Sequence, residues 1–320
     1  MTTPRTRAIV NPNSSHGRTR HNWPKMHQAL EAAIGPVEVA FTDAQNAATA
    51  LTRAALHDGV DLIIAVGGDG TVNEVVNGFF HPPTGPDNTL IRPQAALALF
   101  TSGSGGDFRR SFDLPLDIPG QVARLAAASD RPIDVGRLDY TDHDGRPASR
   151  YFNNIASFGL SGLVSRRVNQ ATFSKRINSR FAFFWATLRA MFGYQMPRVR
   201  ITADDQPAHE LGINTAAVCN GRYFGAGMHF APNARPDDGR FDVVIMHDMT
   251  TRELLRDPNA VYHGKHIHHP KVLSLTARRV VAEPLPGPPA LLDVDGDPRP
   301  PARHLHDPPG CPQVQVLTNP

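Results

Sequence analysis

Cysteine is nearly absent: Cys219 and Cys311 are the two in 320 residues. That excludes a disulfide framework and fits a reduced, cytosolic protein. Long apolar runs are missing as well, none approaching the roughly 18 residues that span a bilayer. The opening Met-Thr-Thr-Pro-Arg-Thr-Arg holds no apolar stretch of the kind a secretory signal needs. The expectation is a cytoplasmic protein, soluble or peripheral to a membrane. A dominant charge sign is also lacking: 33 basic residues meet 30 acidic ones, a net of +3, which argues against a wholesale nucleic-acid binder. No internal repeat is visible.

What is present is ample core material, with 40% hydrophobic residues in a length that suits two domains. The 26 glycines and 29 prolines foretell many turns. The charge is also unevenly spread. From Gly145 to Ala203 there are ten Arg or Lys (Arg146, Arg150, Arg166, Arg167, Lys175, Arg176, Arg180, Arg189, Arg198, Arg200) and no Asp or Glu, leaving 23 basic and 30 acidic residues elsewhere, a net of −7. One segment is cationic in an otherwise anionic chain.

The first third alternates strand and helix signals. Ala8–Val10, Val37–Phe41, Leu62–Val66 and Ala95–Phe100 read as strands, the last two buried on both faces. Trp23–Ile34 and Ala44–Leu56 read as helices, and Asn73–Phe79 as a helix start. This order predicts a parallel sheet with helices on both faces. After about Arg131 short strand-like runs take over: Ile133–Leu138, Tyr151–Phe158, Val199–Ala203, Ala216–Cys219, Phe241–Met246, Val272–Thr276, Val280–Ala282 and Ala290–Val294. They predict a β-rich second domain, interrupted by a helix near Ser179–Tyr194.

Two glycine loops follow buried strands, Gly67-Gly68-Asp69-Gly70-Thr71 and Gly103-Ser104-Gly105-Gly106-Asp107. Glycines let backbone approach a phosphate, and a following helix offers unpaired N–H groups. An aspartate there repels phosphate, so Asp69 makes sense holding Mg²⁺ or accepting a proton. Both loops belong at the carboxyl edge of one sheet, where α/β folds bind ligands. Neither is a Walker A loop or a Rossmann fingerprint.

Leu62-Ile-Ile-Ala-Val-Gly-Gly-Asp-Gly-Thr-Val-Asn-Glu-Val-Val-Asn77 resembles the signature of the diacylglycerol kinase catalytic domain family, which includes bacterial soluble lipid kinases and sphingosine kinases. Four collinear segments agree: Val10–Gly17, Gly103–Arg109, Asn220–Met228 continuing through Ala231-Pro232 to Asp237–Asp242, and Asp295-Gly296-Asp297. The resemblance implies an α/β nucleotide-binding domain related to NAD kinase and phosphofructokinase over residues 1–132. A β-rich lipid-substrate domain follows over 133–300, and residues 301–320 return to the first domain. It also implies ATP in the interdomain cleft and transfer of the γ-phosphoryl group to a lipid hydroxyl, diacylglycerol being the commonest acceptor and a sphingoid base or ceramide an alternative.

By the same resemblance Asn11, Ser14, Ser15 and Thr42 line the nucleotide. Gly67, Gly68, Asp69, Gly70, Thr71, Asn73 and Glu74, with Gly103 and Ser104, cradle its phosphates. Asp238 with the carbonyls of Arg235 and Arg240 forms a Mg²⁺ site of oxygen ligands. Asp69, Asp295 and Asp297 are the candidates for the acid–base role, expected to flank the reacting hydroxyl. Two positions depart from the family pattern: Gly106 stands for asparagine, and Asp297 for glutamate.

The apolar face formed by Phe181, Phe184, Trp185, Leu188, Met191 and Phe192 lies within the cationic segment. It is either a core helix or an interfacial helix docking on an anionic leaflet. The histidines His263, His266, His268 and His269 have no cysteine or carboxylate among them and make a poor metal site. Rival functions are an NAD kinase and a nucleotide- or lipid-binding regulator without catalysis; nucleic-acid binding has no motif. Oligomeric state is open, a homodimer included.

Overall fold

The computed structural model describes residues 4–82, 89–102, 106–142, 145–170, 187–299, 305–306 and 313–318. The chain divides into two compact units, residues 1–133 with 312–320, and residues 134–311.

The first unit is a six-stranded sheet in the order β2-β1-β3-β4-β19-β5. Strands β1 (Thr6–Val10), β2 (Val37–Phe41), β3 (Leu62–Gly67) and β4 (Ala96–Thr101) run parallel. Every residue of β3 is buried, which is why its sequence is an unbroken apolar run rather than an alternation. Helices α1 (Arg18–Ile34), α2 (Ala47–His57), α3 (Asp69–Phe79), α4 (Asp107–Arg110) and α5 (Ile118–Ala126) connect the strands. Trp23, Met26 and Leu30 of α1 meet Val10, Ile64, Val66 and Phe100 in one core, with Ile118 and Val122 of α5 beside them. Asp117 caps α5, its carboxylate accepting from Gly120 N at 2.7 Å. Strand β5 (Ser129–Asp134) lies at the far edge of the sheet. Helix α3 starts at Asp69, four residues before the expected Asn73: Gly68 is its N-cap, and the glycines of the loop hide the first turn from a propensity reading.

The second unit is antiparallel, as the runs of short strands predict. The Ile133–Leu138 run divides between β5 and β6 (Gly136–Thr141). The Tyr151–Phe158 run is β7 (Pro147–Phe152) and β8 (Ile155–Gly159), separated by Asn153-Asn154. Helix α6 (Leu160–Gln170), absent from the sequence expectations, follows β8 directly. Described helical backbone at 187–191 (α7) belongs to the predicted helix; Phe181, Phe183, Phe184 and Trp185 lie outside the described residues. Beyond it come β9 (Arg198–Ala203), β10 (His209–Cys219), β11 (Tyr223–Phe224), β12 (Met228–His229), β13 (Phe241–His247), α8 (Thr251–Arg256), β14 (Val272–Ala277), β15 (Val280–Pro284), β16 (Leu292–Val294), β17 (Asp297–Arg299) and β18 (Leu305–His306). The last strand, β19 (Gln313–Thr318), pairs parallel with β4 in the first sheet.

Strand β10 is the corner of this unit. Its first half pairs with β9, its second with β8 and β13, and the register shifts between Ile213 and Thr215. Asn214 holds the bend by a reciprocal pair with Met249, both bonds 2.9 Å. Phe152, Phe158, Ile201, Ile213, Phe241 and Leu292 share the core inside the folded sheet.

Candidate active site

The carboxyl ends of β1, β3 and β4 are neighbours in one parallel sheet, so their following loops share an edge. Asn11 Nδ2 donates to Thr71 Oγ1 at 3.1 Å, and Asn11 N to Val66 O at 3.0 Å. Ser14 Oγ donates to Asn11 O at 2.9 Å and lies 2.5 Å from Thr19 Oγ1 and 3.2 Å from Ser102 Oγ. The Ser15 hydroxyl donates to the Ser102 carbonyl. Thr42 is buried at the end of β2, its N–H on Val10 O at 2.9 Å. Ser102 and Thr19, not singled out from sequence, complete this hydroxyl lattice; the Thr101-Ser102 pair ahead of the second glycine loop is their faint signal.

Gly67 must be glycine because a Cβ there would stand 2.4 Å from Thr71 Oγ1. Gly68 and Gly70 are different: among the described residues nothing lies within 4 Å of where their Cβ atoms would be. Among the described residues the loop is open above these two, and the N-cap of the eleven-residue α3 is Gly68, which has no side chain to cap it. A helix N-terminus and space above glycine backbone fit a phosphate.

Asp69 is the hinge between the two glycine loops. Its carboxylate accepts from Asp107 N at 2.9 Å and Phe108 N at 3.3 Å, fixing the start of α4. Burial pushes this carboxyl up, while those N–H groups and that of Gly106 hold it down. Gly106 sits at φ +86°, a region glycine and asparagine both reach, so its departure from the family pattern spares the backbone while removing a side-chain amide. Gly103 and Ser104 lie outside the described residues. Asn73 is buried, and its carbonyl accepts from Asn77 at 2.8 Å. Glu74 serves α2, accepting from Ala48 N at 3.2 Å through its carboxylate and from Thr49 Oγ1 at 2.8 Å through its carbonyl.

In the second unit Asp295 and Gly296 are both at positive φ, 49° and 85°, a two-residue hairpin between β16 and β17. The turn does more than reverse the chain. The Asp295 carboxylate accepts from Asn153 N at 3.0 Å, Asn154 N at 3.1 Å and Ile155 N at 2.7 Å. Three main-chain donors make it an anchor rather than a ready proton acceptor. Asp297 is half-buried, 3.7 Å from Arg150 Nη2.

Asp238 is exposed in the 235–240 turn, its Oδ1 accepting from Arg240 N at 3.0 Å. Burial and the Asp238 charge push Asp242 up to about 6. Two crowded carboxylates beside the turn's carbonyls are a donor set that suits Mg²⁺. No cluster of three metal-ligating side chains occurs among the described residues. His266 is a packing residue, Nε2 on Phe230 O at 3.0 Å.

Sequence reading missed a pocket of about 130 Å³ within the second unit. Leu160 and Val164 of α6, Met191 of α7, Phe230, Met246 and Leu254 are among its lining residues. The helix-spaced Leu160 and Val164, and Leu188 and Met191 of the apolar face read from sequence, were its local signals; the other walls come from segments far apart in the chain.

The diacylglycerol kinase catalytic domain model matches residues 5–138, and the YegS C-terminal NAD kinase beta sandwich-like domain model matches residues 154–314. The chain belongs to the diacylglycerol kinase family. Membership makes it a lipid kinase. It is 29% identical over 276 residues to a diacylglycerol kinase of Staphylococcus haemolyticus, covering 86% of this chain and 77% of that one. The crystal structure of a diacylglycerol kinase of Bacillus anthracis matches with a TM-score of 0.67 at 21% identity, covering 100% of this chain and 98% of that one. Yeast NADH kinase, solved with NADH, matches at 0.56 and 10% identity, covering 100% and 85%. Those two structures bear on the fold alone: an NAD kinase-like α/β domain followed by a β-rich one. Among the described residues no helix is long and apolar enough to cross a membrane.

Proposed function

We propose that this kinase moves the γ-phosphoryl group of ATP to the hydroxyl of a diacylglycerol, with Mg²⁺ as the metal. The observation that carries the acceptor is the apolar pocket of the second unit, suited to acyl chains and ill-suited to a nucleotide acceptor such as NAD. The donor side is supported by the open backbone at Gly68 and Gly70 and the uncapped start of α3. Asn11, Ser14, Ser15 and Thr42 border the nucleotide, and the family resemblance gives Gly103 and Ser104 a part in phosphate binding. Asp69 holds the two loops in register and orients what binds there. Asp238, with the Arg235 and Arg240 carbonyls, would hold a structural Mg²⁺ that fixes the 235–240 turn. Asp297 takes the proton from the acceptor hydroxyl, while Asp295 anchors the turn that carries it.

An anionic membrane surface is the proposed partner. Phe192 and Leu255 are exposed apolar side chains beside pocket residues, with Arg189, Arg252 and Arg256 exposed nearby in sequence. The experiment is transfer of label from radioactive ATP to a panel of diacylglycerol, ceramide, sphingoid base and NAD. Labelled phosphatidic acid is expected. Label on NAD alone would replace this reading, and ATP binding without transfer would make the chain a regulator.

A further inference from the structure

Asp293 is a buried carboxyl that neither fold nor motif accounts for. Its β16 neighbours Leu292 and Val294 point into the core of the folded sheet, so Asp293 leaves the opposite face, where α6 packs. It is 3% exposed. Its carboxyl accepts from the Ser165 hydroxyl on α6 and from the Gly296 N–H in the hairpin turn. Its cross-strand partner is Ser157 of β8, on the same face. Among the described residues Asp293 Oδ1 and Ser157 Oγ are both buried with no hydrogen-bond partner.

We propose that Asp293 is a positioning residue: it clasps the Asp295-Gly296-Asp297 turn to helix α6 and so sets the stance of the Asp297 carboxylate. The inference rests on the reading above only in giving Asp297 a part in transfer. Burial, with like charge from Asp295 and Asp297, pushes the Asp293 carboxyl up to about 7. Asp295 and Asp297 act on it through charge and Ser165 and Gly296 through hydrogen bonds; Arg150 faces Asp297 at 3.7 Å, and Arg166 and Arg167 lie beside Ser165 in the sequence of α6. Protonated, Asp293 carries a hydrogen on the face it shares with the Ser157 hydroxyl. Ionised, it adds a second negative charge beside Asp297 and raises that group's proton affinity.

The test compares wild type with Asp293→Asn and, in case that variant misfolds, Ser165→Ala, which cuts only the tie to α6. Two readouts are taken across pH: the Asp297 carboxyl resonance in ¹³C-aspartate-labelled protein, and kcat for lipid phosphorylation at saturating ATP. In wild type both should inflect near pH 7, the value of the buried carboxyl. Asp293→Asn should remove that inflection from both and lower kcat about tenfold with KM for ATP unchanged. Ser165→Ala should shift the Asp297 resonance in the same direction by less. An Asp297 resonance and a kcat profile unmoved in both folded variants would overturn the inference. If wild type phosphorylates no lipid, the functional reading fails on its own, and the Asp297 resonance still decides whether the clasp exists.

Discussion

Each unit ties its site together with an aspartate that receives main-chain N–H groups, and the two are built differently. Asp69 opens a helix and takes two donors from a loop 38 residues on, beside glycines with vacant space above them. Asp295 sits in a hairpin and takes three donors at 2.7–3.1 Å from a strand start about 140 residues earlier. The first carboxylate organises loops around an open cradle; the second fastens strands within a packed sheet. Loss of the first should therefore damage chemistry more than folding, and loss of the second folding as much as chemistry.

The sharpest way to break this contrast is Asp69→Asn. The amide presents a donor to N–H groups that need an acceptor, so α4 and its loop lose their tie to the cradle. Transfer is expected to fall by about 10³-fold, as when a preorganised electrostatic element is lost, while thermal unfolding stays cooperative. Wild-type turnover in that variant would remove Asp69 from the site. Asp295→Asn should do the reverse. Charge-assisted bonds to buried N–H groups are lost, and unfolding in urea should show a destabilisation of about 3 kcal/mol. A midpoint equal to wild type would show that the hairpin does not need its anchor.

The pocket offers a narrower test. Val164, 2% exposed, lines it from α6, and Val164→Phe should fill part of the space. KM for lipid is expected to rise about tenfold, the scale set by a few methylenes in an apolar site, with KM for ATP unchanged. Equal change in both would mean that the pocket is not the acceptor's. Stability against pH separates the two carboxyl environments further. The folded Asp293 carboxyl titrates at about 7, against roughly 3.9 in an unfolded chain. Between those values the folded state binds more protons. Its contribution to stability therefore declines as pH rises through that window and is flat above it. Asp293→Asn should flatten the decline in melting temperature from pH 5 to pH 8, and a decline as steep as in wild type would assign it to other groups.

The two units also differed in how far their sequence announced them. Leu62–Val66 ending at Gly67 is local, and its neighbours in the sheet are equally apolar, so strand, loop and edge could be read together. The break at Asn153-Asn154 could not, because what interrupts the Tyr151–Phe158 run is the Asp295 carboxylate, supplied from the other end of the unit. Helix α6 was hidden by its own glycine and serines. Gly162 is needed because a Cβ there would stand 2.2 Å from Leu291 O, and that close approach is invisible in one dimension. The pocket is a product of such approaches. The Gly106 and Asp297 departures were legible as departures, but only the backbone geometry at φ +86° explains why the first is tolerated.

The smallest expected effect concerns the surface near the pocket. Helix α8 is fixed by a capping box, Thr250 with Glu253, and Glu253 is also bound by Lys271 Nζ at 2.8 Å, which holds its carboxyl down at about 2. With that acid neutralised in place, Arg252 and Arg256 are the helix's outward charges, beside the exposed Leu255. A basic residue near an anionic leaflet contributes about 1 kcal/mol, or roughly fivefold in binding. Arg252→Gln should therefore weaken flotation with anionic liposomes by that factor, and raising the salt should shrink the difference, since these side chains are solvated and screened. Equal flotation of both proteins on neutral and anionic vesicles would return α8 to ordinary solvated surface. It would leave the proposed acyl role of the pocket standing, because the pocket is apolar throughout most of its wall and owes nothing to the leaflet's charge.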